Sequence, residues 1–180
     1  MFLSQAKYIT DLLQKTKMIE AKPISTLMVS GQLVSAHQGE NFHDVYLYRS
    51  TVGALHYATL THPEISYSAL SHGLWLRCST NLSIVGFADA DWASNPDDRK
   101  STSGYCVYFG NNLVSWGSKK QYIISRSSTE AKYMCLALLA TKLVWIHLLL
   151  CDLGITLSQP LVLWCDNLSV VHLSANPILH

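Results

Sequence analysis

The feature that most constrains this chain is a capped, almost unbroken apolar segment with a short apolar run close behind it. Ser127-Ser128-Thr129-Glu130 fits the S-x-x-E pattern, in which a hydroxyl and a carboxylate satisfy free N–H groups at a helix start. Apolar residues then dominate to about Leu153, and Gly154 supplies a stop. The stretch from Met134 to Leu150 could pass for a membrane span, but Lys142 and His147 interrupt it and a helix cap precedes it. It therefore reads as a buried helix, and no membrane is expected. Its apolar residues occupy most of the circumference, which calls for cover on more than one side. Leu161 to Cys165 reads as a strand of five apolar residues, suited to burial on both faces.

The preceding residues supply the rest of a sheet. Ser83 to Asp89 is a candidate strand. Tyr105 to Phe109 and Leu113 to Trp116 flank Gly110-Asn111-Asn112, a hairpin signal, and Gln121 to Ser125 is a third candidate strand. Asn167 to Ser174 begins a further helix. The order strand, hairpin, helix, strand, helix implies an α/β fold with a sheet of mixed strand direction. Upstream, residues 4–16 carry an amphipathic helical pattern through Tyr8, Ile9, Leu12 and Leu13. Residues 17–44, with Pro23, Gly31 and Gly39, look irregular. A second helical pattern runs from about Asp44 to Leu60, punctuated by His62-Pro63.

Composition narrows the function less than pattern does. An apolar content of 49% excludes wholesale disorder, and a net charge of +1 gives no global polyelectrolyte signal. Locally, Arg99, Lys100, Lys119, Lys120, Arg126 and Lys132 are opposed within their own segment only by Glu130, so that segment could face a phosphate backbone. The five cysteines (Cys78, Cys106, Cys135, Cys151, Cys165) have no CxxC spacing and sit in apolar runs. They read as reduced, buried thiols of an intracellular protein, in the cytoplasm or nucleus. The eight histidines show no ligand spacing. Met1-Phe2-Leu3-Ser4-Gln5-Ala6-Lys7 lacks the basic and apolar regions of a signal peptide, so secretion is not expected.

The chemistry-bearing candidates are carboxylates. Asp89 closes one apolar strand, Asp166 closes another, and Glu130 stands in the first turn of the helix between them. If the strands are neighbours, the two aspartates share one sheet edge and Glu130 could join them. Closely grouped carboxylates suit hard, oxygen-seeking magnesium, and a pair of such ions supports phosphodiester hydrolysis. Each position also has a plain structural explanation. Asp166-Asn167 suits a turn or helix cap, and Glu130 is fully explained as the capping-box acid.

Read together, Phe87-Ala88-Asp89-Ala90-Asp91-Trp92, Asp97-Asp98-Arg99-Lys100-Ser101-Thr102-Ser103-Gly104-Tyr105, Leu113-Val114-Ser115-Trp116-Gly117-Ser118-Lys119-Lys120-Gln121, Ser127-Ser128-Thr129-Glu130-Ala131-Lys132-Tyr133 and Trp164-Cys165-Asp166-Asn167 resemble the ribonuclease H region of Ty1/copia-type retrotransposon Pol polyproteins. Upstream, Tyr48-Arg49-Ser50-Thr51-Val52-Gly53-Ala54-Leu55-His56-Tyr57 and Thr61-His62-Pro63-Glu64-Ile65 resemble the region after the reverse transcriptase core. The resemblance implies residues 81–180 as a ribonuclease H-like domain with a mixed β-sheet and flanking helices, C-terminally incomplete. Residues 1–80 would be a mostly helical or irregular remnant of the reverse transcriptase connection, with an internal deletion near 68–74. It further implies Asp89, Glu130 and Asp166 as catalytic and metal-binding residues, with magnesium or manganese as cofactor. Arg99, Lys119, Lys120 and Arg126 would be phosphate contacts to an RNA–DNA hybrid, and a complete Pol protein would be a second partner.

The chain also departs from the family pattern. Where the family has Glu-Ala-Glu-Tyr, this chain has Glu130-Ala131-Lys132-Tyr133, and the metal-binding register points to position 132. Residues two apart on a helix point about 200° away from one another, so Glu130 cannot simply replace the acid expected there. A further acid expected downstream of Asn176-Pro177 lies beyond His180. The expected ancestral role is two-metal hydrolysis of the RNA strand of RNA–DNA hybrids, with little or no activity in this chain. The alternatives are a non-catalytic nucleic-acid-binding remnant and a gene fragment without function.

Overall fold

The structure, a computed structural model, describes residues 1–22, 35–40, 42–61 and 74–176. The expectations placed on Pro23, Gly31, His62-Pro63 and Pro177, and on all but the last residue of the proposed deletion near 68–74, lie outside those residues. The described chain divides into two units. One takes in the residues up to Leu76 except Ser35, and the other takes in Ser35 with Arg77 onward.

In the first unit, α1 (Ala6–Lys15) and α2 (Val45–Thr61) match the two helical patterns upstream. The Asp44 carboxylate accepts the N–H of Leu47 at 2.8 Å, which satisfies a free donor at the start of α2. The helices meet through the Tyr8 hydroxyl, which donates to the Ala54 carbonyl at 3.3 Å, and through edge-on contact of the Tyr8 and Tyr57 rings. A two-residue pairing that the sequence did not signal, β1 (Phe2–Leu3) with β2 (Leu74–Trp75), also belongs to this unit.

The second unit is a four-stranded mixed sheet with two helices. Its strands are β3 (Ile84–Ala90), β4 (Thr102–Phe109), β5 (Asn112–Lys120) and β6 (Val162–Cys165), in the order β5-β4-β3-β6. The β3–β4 and β4–β5 pairs are antiparallel, and β3–β6 is parallel. The hairpin closes through Gly110 and Asn111 with Phe109 opposite Asn112, and Gly110 has φ +57°, a conformation that favours glycine. A bulge between Val107 and Tyr108 interrupts the register of β4 on β5.

Helix α3 (Ser128–Asp152) packs on β3 and β4. Its buried residues are Ala131, Cys135, Leu139, Leu143, Ile146 and Leu150, spaced by four or three positions and so forming one stripe. They join Ile84, Ala88, Ala90 and Val107 in the core. By length and composition α3 could cross a membrane, and here that stripe lies against the sheet. The expected cover on a second side is only partial among the described residues: the last helix, α4 (Leu168–Ala175), also packs on α3, but Val144, Trp145, Leu148 and Leu149 are exposed.

Two further expectations are corrected. Gln121 to Ser125 is not a strand. Gln121 turns inward and is buried, while Tyr122, Ile123 and Ile124 are exposed, so β-propensity yields to the need to carry the chain from β5 to α3. Nor is β6 buried on both faces. It pairs only with β3 among the described residues, and Leu163 and Trp164 are exposed. The cysteines are unpaired, but Cys78 and Cys151 are exposed and only Cys135 is buried.

Candidate functional site

Two strand ends and a helix start converge at one edge of the sheet. Because β3 and β6 run parallel, with Ala88 opposite Cys165, the next residues stand side by side: Asp89, the last residue but one of β3 and still paired with Gly104 of β4, and Asp166, just past the end of β6. The Ser127 side chain caps α3 by accepting the Glu130 N–H at 3.1 Å. That cap starts the helix at a point from which the side chain of its second turn, Lys132, reaches the two aspartates. Asn167 caps α4 (Leu168–Ala175) by accepting the Val170 N–H at 3.1 Å, so the strand end that carries Asp166 is fixed on its far side as well.

Lys132 Nζ donates to both oxygens of Asp166, at 2.6 and 2.7 Å, and lies 2.9 Å from Asp89 Oδ1. These are charge-assisted distances. The Lys132 side chain is only 17% exposed, whereas those of Asp89 and Asp166 are 74% and 67% exposed. The ammonium is thus held on the protein side of a pair of solvent-facing carboxylates. Its hydrogen bonds to Asp166 and then Asp89 raise the Lys132 pKa. The hydrogen bond from Lys132 is the main cause that lowers the Asp89 carboxyl pKa, outweighing desolvation, and the Ala90 N–H at 2.8 Å adds to it.

Glu130 does not join this group. Its carboxylate accepts the Arg126 N–H at 2.7 Å, and its own N–H is held by Ser127. The expected three-carboxylate cluster is therefore replaced by two carboxylates and a lysine. Among the described residues no group of three or more His, Cys, Asp or Glu side chains could hold a metal ion. Magnesium wants an octahedral shell of oxygens close to 2 Å away. An ammonium bonded to both carboxylates brings the wrong charge and no acceptor, so these residues do not fit the implied magnesium pair. Asp91 serves a loop, its carboxylate accepting the Thr102 N–H and the Ser94 hydroxyl.

The expected phosphate contacts are distributed unevenly. Arg99, Lys119 and Arg126 are exposed, Arg99 in a left-handed turn at φ +55°. The Lys119 ammonium lies 4.8 Å from the centre of the Tyr122 ring. Lys120, however, forms an ion pair with Asp98 at 2.8 Å, and Lys100 approaches the same carboxylate at 3.8 Å. The basic segment is thus partly neutralised by an acid just outside it, and Lys132 faces the aspartates.

Two supporting side chains were not singled out in the sequence. Gln121 donates to the Ser103 hydroxyl and to the Ala131 carbonyl, both at 2.9 Å, and accepts from the Ser125 hydroxyl at 2.9 Å. It ties β4, the 121–125 segment and α3 together immediately before Lys132. Cys135 lies three residues beyond Lys132, and its thiol contacts the carbonyls of Asp89 at 3.1 Å and Gly104 at 3.2 Å. A polar residue just after a strand was the available signal for Gln121. Nothing in the local pattern marked Cys135.

The chain is similar over nearly its whole length to transposon proteins. It is 40% identical to the retrovirus-related Pol polyprotein from transposon RE1 of Arabidopsis thaliana, over 99% of this chain and 14% of that protein. It is 30% identical to the corresponding protein from transposon TNT 1-94 of Nicotiana tabacum, over 100% of this chain and 16% of that one. An uncharacterized mitochondrial protein of Arabidopsis thaliana is 36% identical over 81% of this chain and 72% of its own length. The chain thus spans about one seventh of the Pol polyproteins it matches. No family model matches it, and no solved structure matches it.

Proposed function

This chain belongs to the retrovirus-related Pol polyproteins of Ty1/copia-type transposons, and from that premise we propose that its second unit is a ribonuclease H-like region that acts on RNA–DNA hybrids. The observation that carries the reading is the pair Asp89 and Asp166, set side by side at the ends of adjacent parallel strands beside a helix start. Carboxyl ends of neighbouring strands are where α/β sheets gather their reactive side chains. Arg99, Lys119 and Arg126 are the contacts for the hybrid backbone, where recognition runs through phosphates and 2′-hydroxyls and not through base edges. Hydrolysis of the RNA strand is the ancestral reaction. With Lys132 between the aspartates, this chain is inactive or only weakly active, and no metal-dependent step is assigned to its residues. A complete Pol protein is a second partner, and the setting is intracellular.

The test is binding and cleavage of a labelled RNA–DNA hybrid by the purified 180-residue chain, in magnesium and in manganese, with Asp89→Asn alongside. Preferential binding of the hybrid over duplex DNA, with little or no cleavage, is the expected result. Robust metal-dependent cleavage that Asp89→Asn abolishes would overturn the assignment of low activity. Failure of the folded chain to prefer the hybrid would overturn the functional reading as a whole.

A further inference from the structure

Two carboxylates at adjacent strand ends repel each other unless a cation stands between them. Here one does, and it belongs to the chain itself. We propose that the Lys132 ammonium is the resident cation of this site, a covalently tethered substitute that holds Asp89 and Asp166 together and bars a divalent metal from the space between them. The proposal rests on the geometry of the three side chains and is independent of whether a hybrid is bound.

Three observations carry it. Lysine has three N–H donors, and the ammonium makes three short contacts to carboxylate oxygens, at 2.6, 2.7 and 2.9 Å, so its donor capacity is spent within the site. The ammonium is the least exposed member of the group and is carried by the well-anchored second turn of α3. A mobile ion could leave; this one cannot. Finally, the acid nearest in sequence, Glu130, is occupied by the Arg126 N–H, which among the described residues leaves two carboxylates at the site.

Charge balance points the same way. Two carboxylates and one ammonium leave a single negative charge, little of it available to recruit a divalent ion. Lys132→Glu would turn the site into three carboxylates, which only an added cation could make tolerable. Lys132→Met removes the tethered charge and adds no ligand.

The decisive experiment is manganese titration of the whole chain, read by paramagnetic broadening of the Asp89 and Asp166 carboxyl carbons, with melting temperatures recorded in chelator and in millimolar manganese. The wild-type chain should melt at the same temperature in both and show no selective broadening at these two residues. Lys132→Glu should melt lower in chelator, recover in manganese, and bind the ion about tenfold or more tightly than wild type. Lys132→Met should show intermediate binding. Selective broadening of Asp89 and Asp166 in the wild-type chain at millimolar manganese would overturn the proposal. The wild-type measurement needs no variant, so it decides the matter even if Lys132→Glu fails to fold. Hybrid binding is read separately, and its absence would sink the functional reading without touching this one.

Discussion

Lys132 and Asp166 meet through both carboxylate oxygens, at 2.6 and 2.7 Å, across 34 positions of sequence. The contact joins α3 to the end of β6, an edge strand whose only pairing among the described residues is with β3. With Asp89 it brings together charges from three elements, α3, β3 and β6.

The pH dependence of stability comes from two shifts of opposite direction. Asp89 has its folded pKa lowered below the ordinary 3.8, so its contribution is fully present above that value and is lost as pH falls through the folded pKa. Lys132 has its folded pKa raised above the ordinary 10.5, so its contribution is fully present below that value and is lost as pH rises through the folded pKa. Lys132→Met should therefore cost most between about pH 5 and 9, and the gap to wild type should close at both extremes. Because both carboxylates are open to solvent, the cost should be about 1 kcal/mol, well short of that of a buried pair. Melting curves of the two proteins across pH measure it, and a pH-independent gap would rule out the ionic origin.

The approach of α3 to the sheet rests on a missing side chain. A Cβ built on Gly86 would stand 2.7 Å from Leu139 Cδ1 and 3.0 Å from Cδ2, and Leu139 is fully buried. The leucine tip is flexible, but the packed core leaves it nowhere to go. Gly86→Ala should destabilise the second unit by about 1–3 kcal/mol. In a Leu139→Ala background the same change should cost less, a coupling that a double-mutant cycle by denaturant unfolding would measure.

What could be read in advance was local. The cap at Ser127, the helix to its end near Leu153, the stop at Gly154 and the cap at Asn167 all stand where short-range chemistry puts them. The conflict at position 132 was also legible, since a lysine stood where an acid was expected. The direction of its side chain, onto both aspartates, was not, because that depends on β3 and β6 being parallel neighbours. Ile123 and Ile124 misled for a similar reason: their branched side chains favour a strand, but no partner strand reaches them among the described residues. Lys120 looked like a free cation until the fold set Asp98 beside it.

Gln121 is the polar keystone under the site. Gln121→Leu would remove the bonds it makes to the buried hydroxyls of Ser103 and Ser125 and to the Ala131 carbonyl, leaving the Ser125 hydroxyl only the weak acceptor Met134 Sδ at 3.6 Å. Leaving buried polar groups unpaired costs about 1–3 kcal/mol. Amide exchange should quicken first in residues 121–125 and the first turns of α3. Uniform loss of protection across the sheet would show instead that the network is no more than general core.

The uneven pairing of the basic residues makes a further prediction for hybrid binding. Each free cation that meets a phosphate releases counterions, so its removal should lower the salt-dependence slope by about one. Lys119→Ala and Arg126→Ala should each do so. Lys120→Ala should change the slope less, because its ammonium already lies 2.8 Å from Asp98. Asp98→Ala should act in the opposite sense, since it releases both Lys120 and Lys100 and should steepen the slope and tighten binding at low salt. Fluorescence anisotropy of a labelled hybrid over a salt series would read all four variants. If Asp98→Ala left the slope unchanged while Lys120→Ala lowered it by a full unit, the hybrid would be shown to break the Asp98–Lys120 pair on binding.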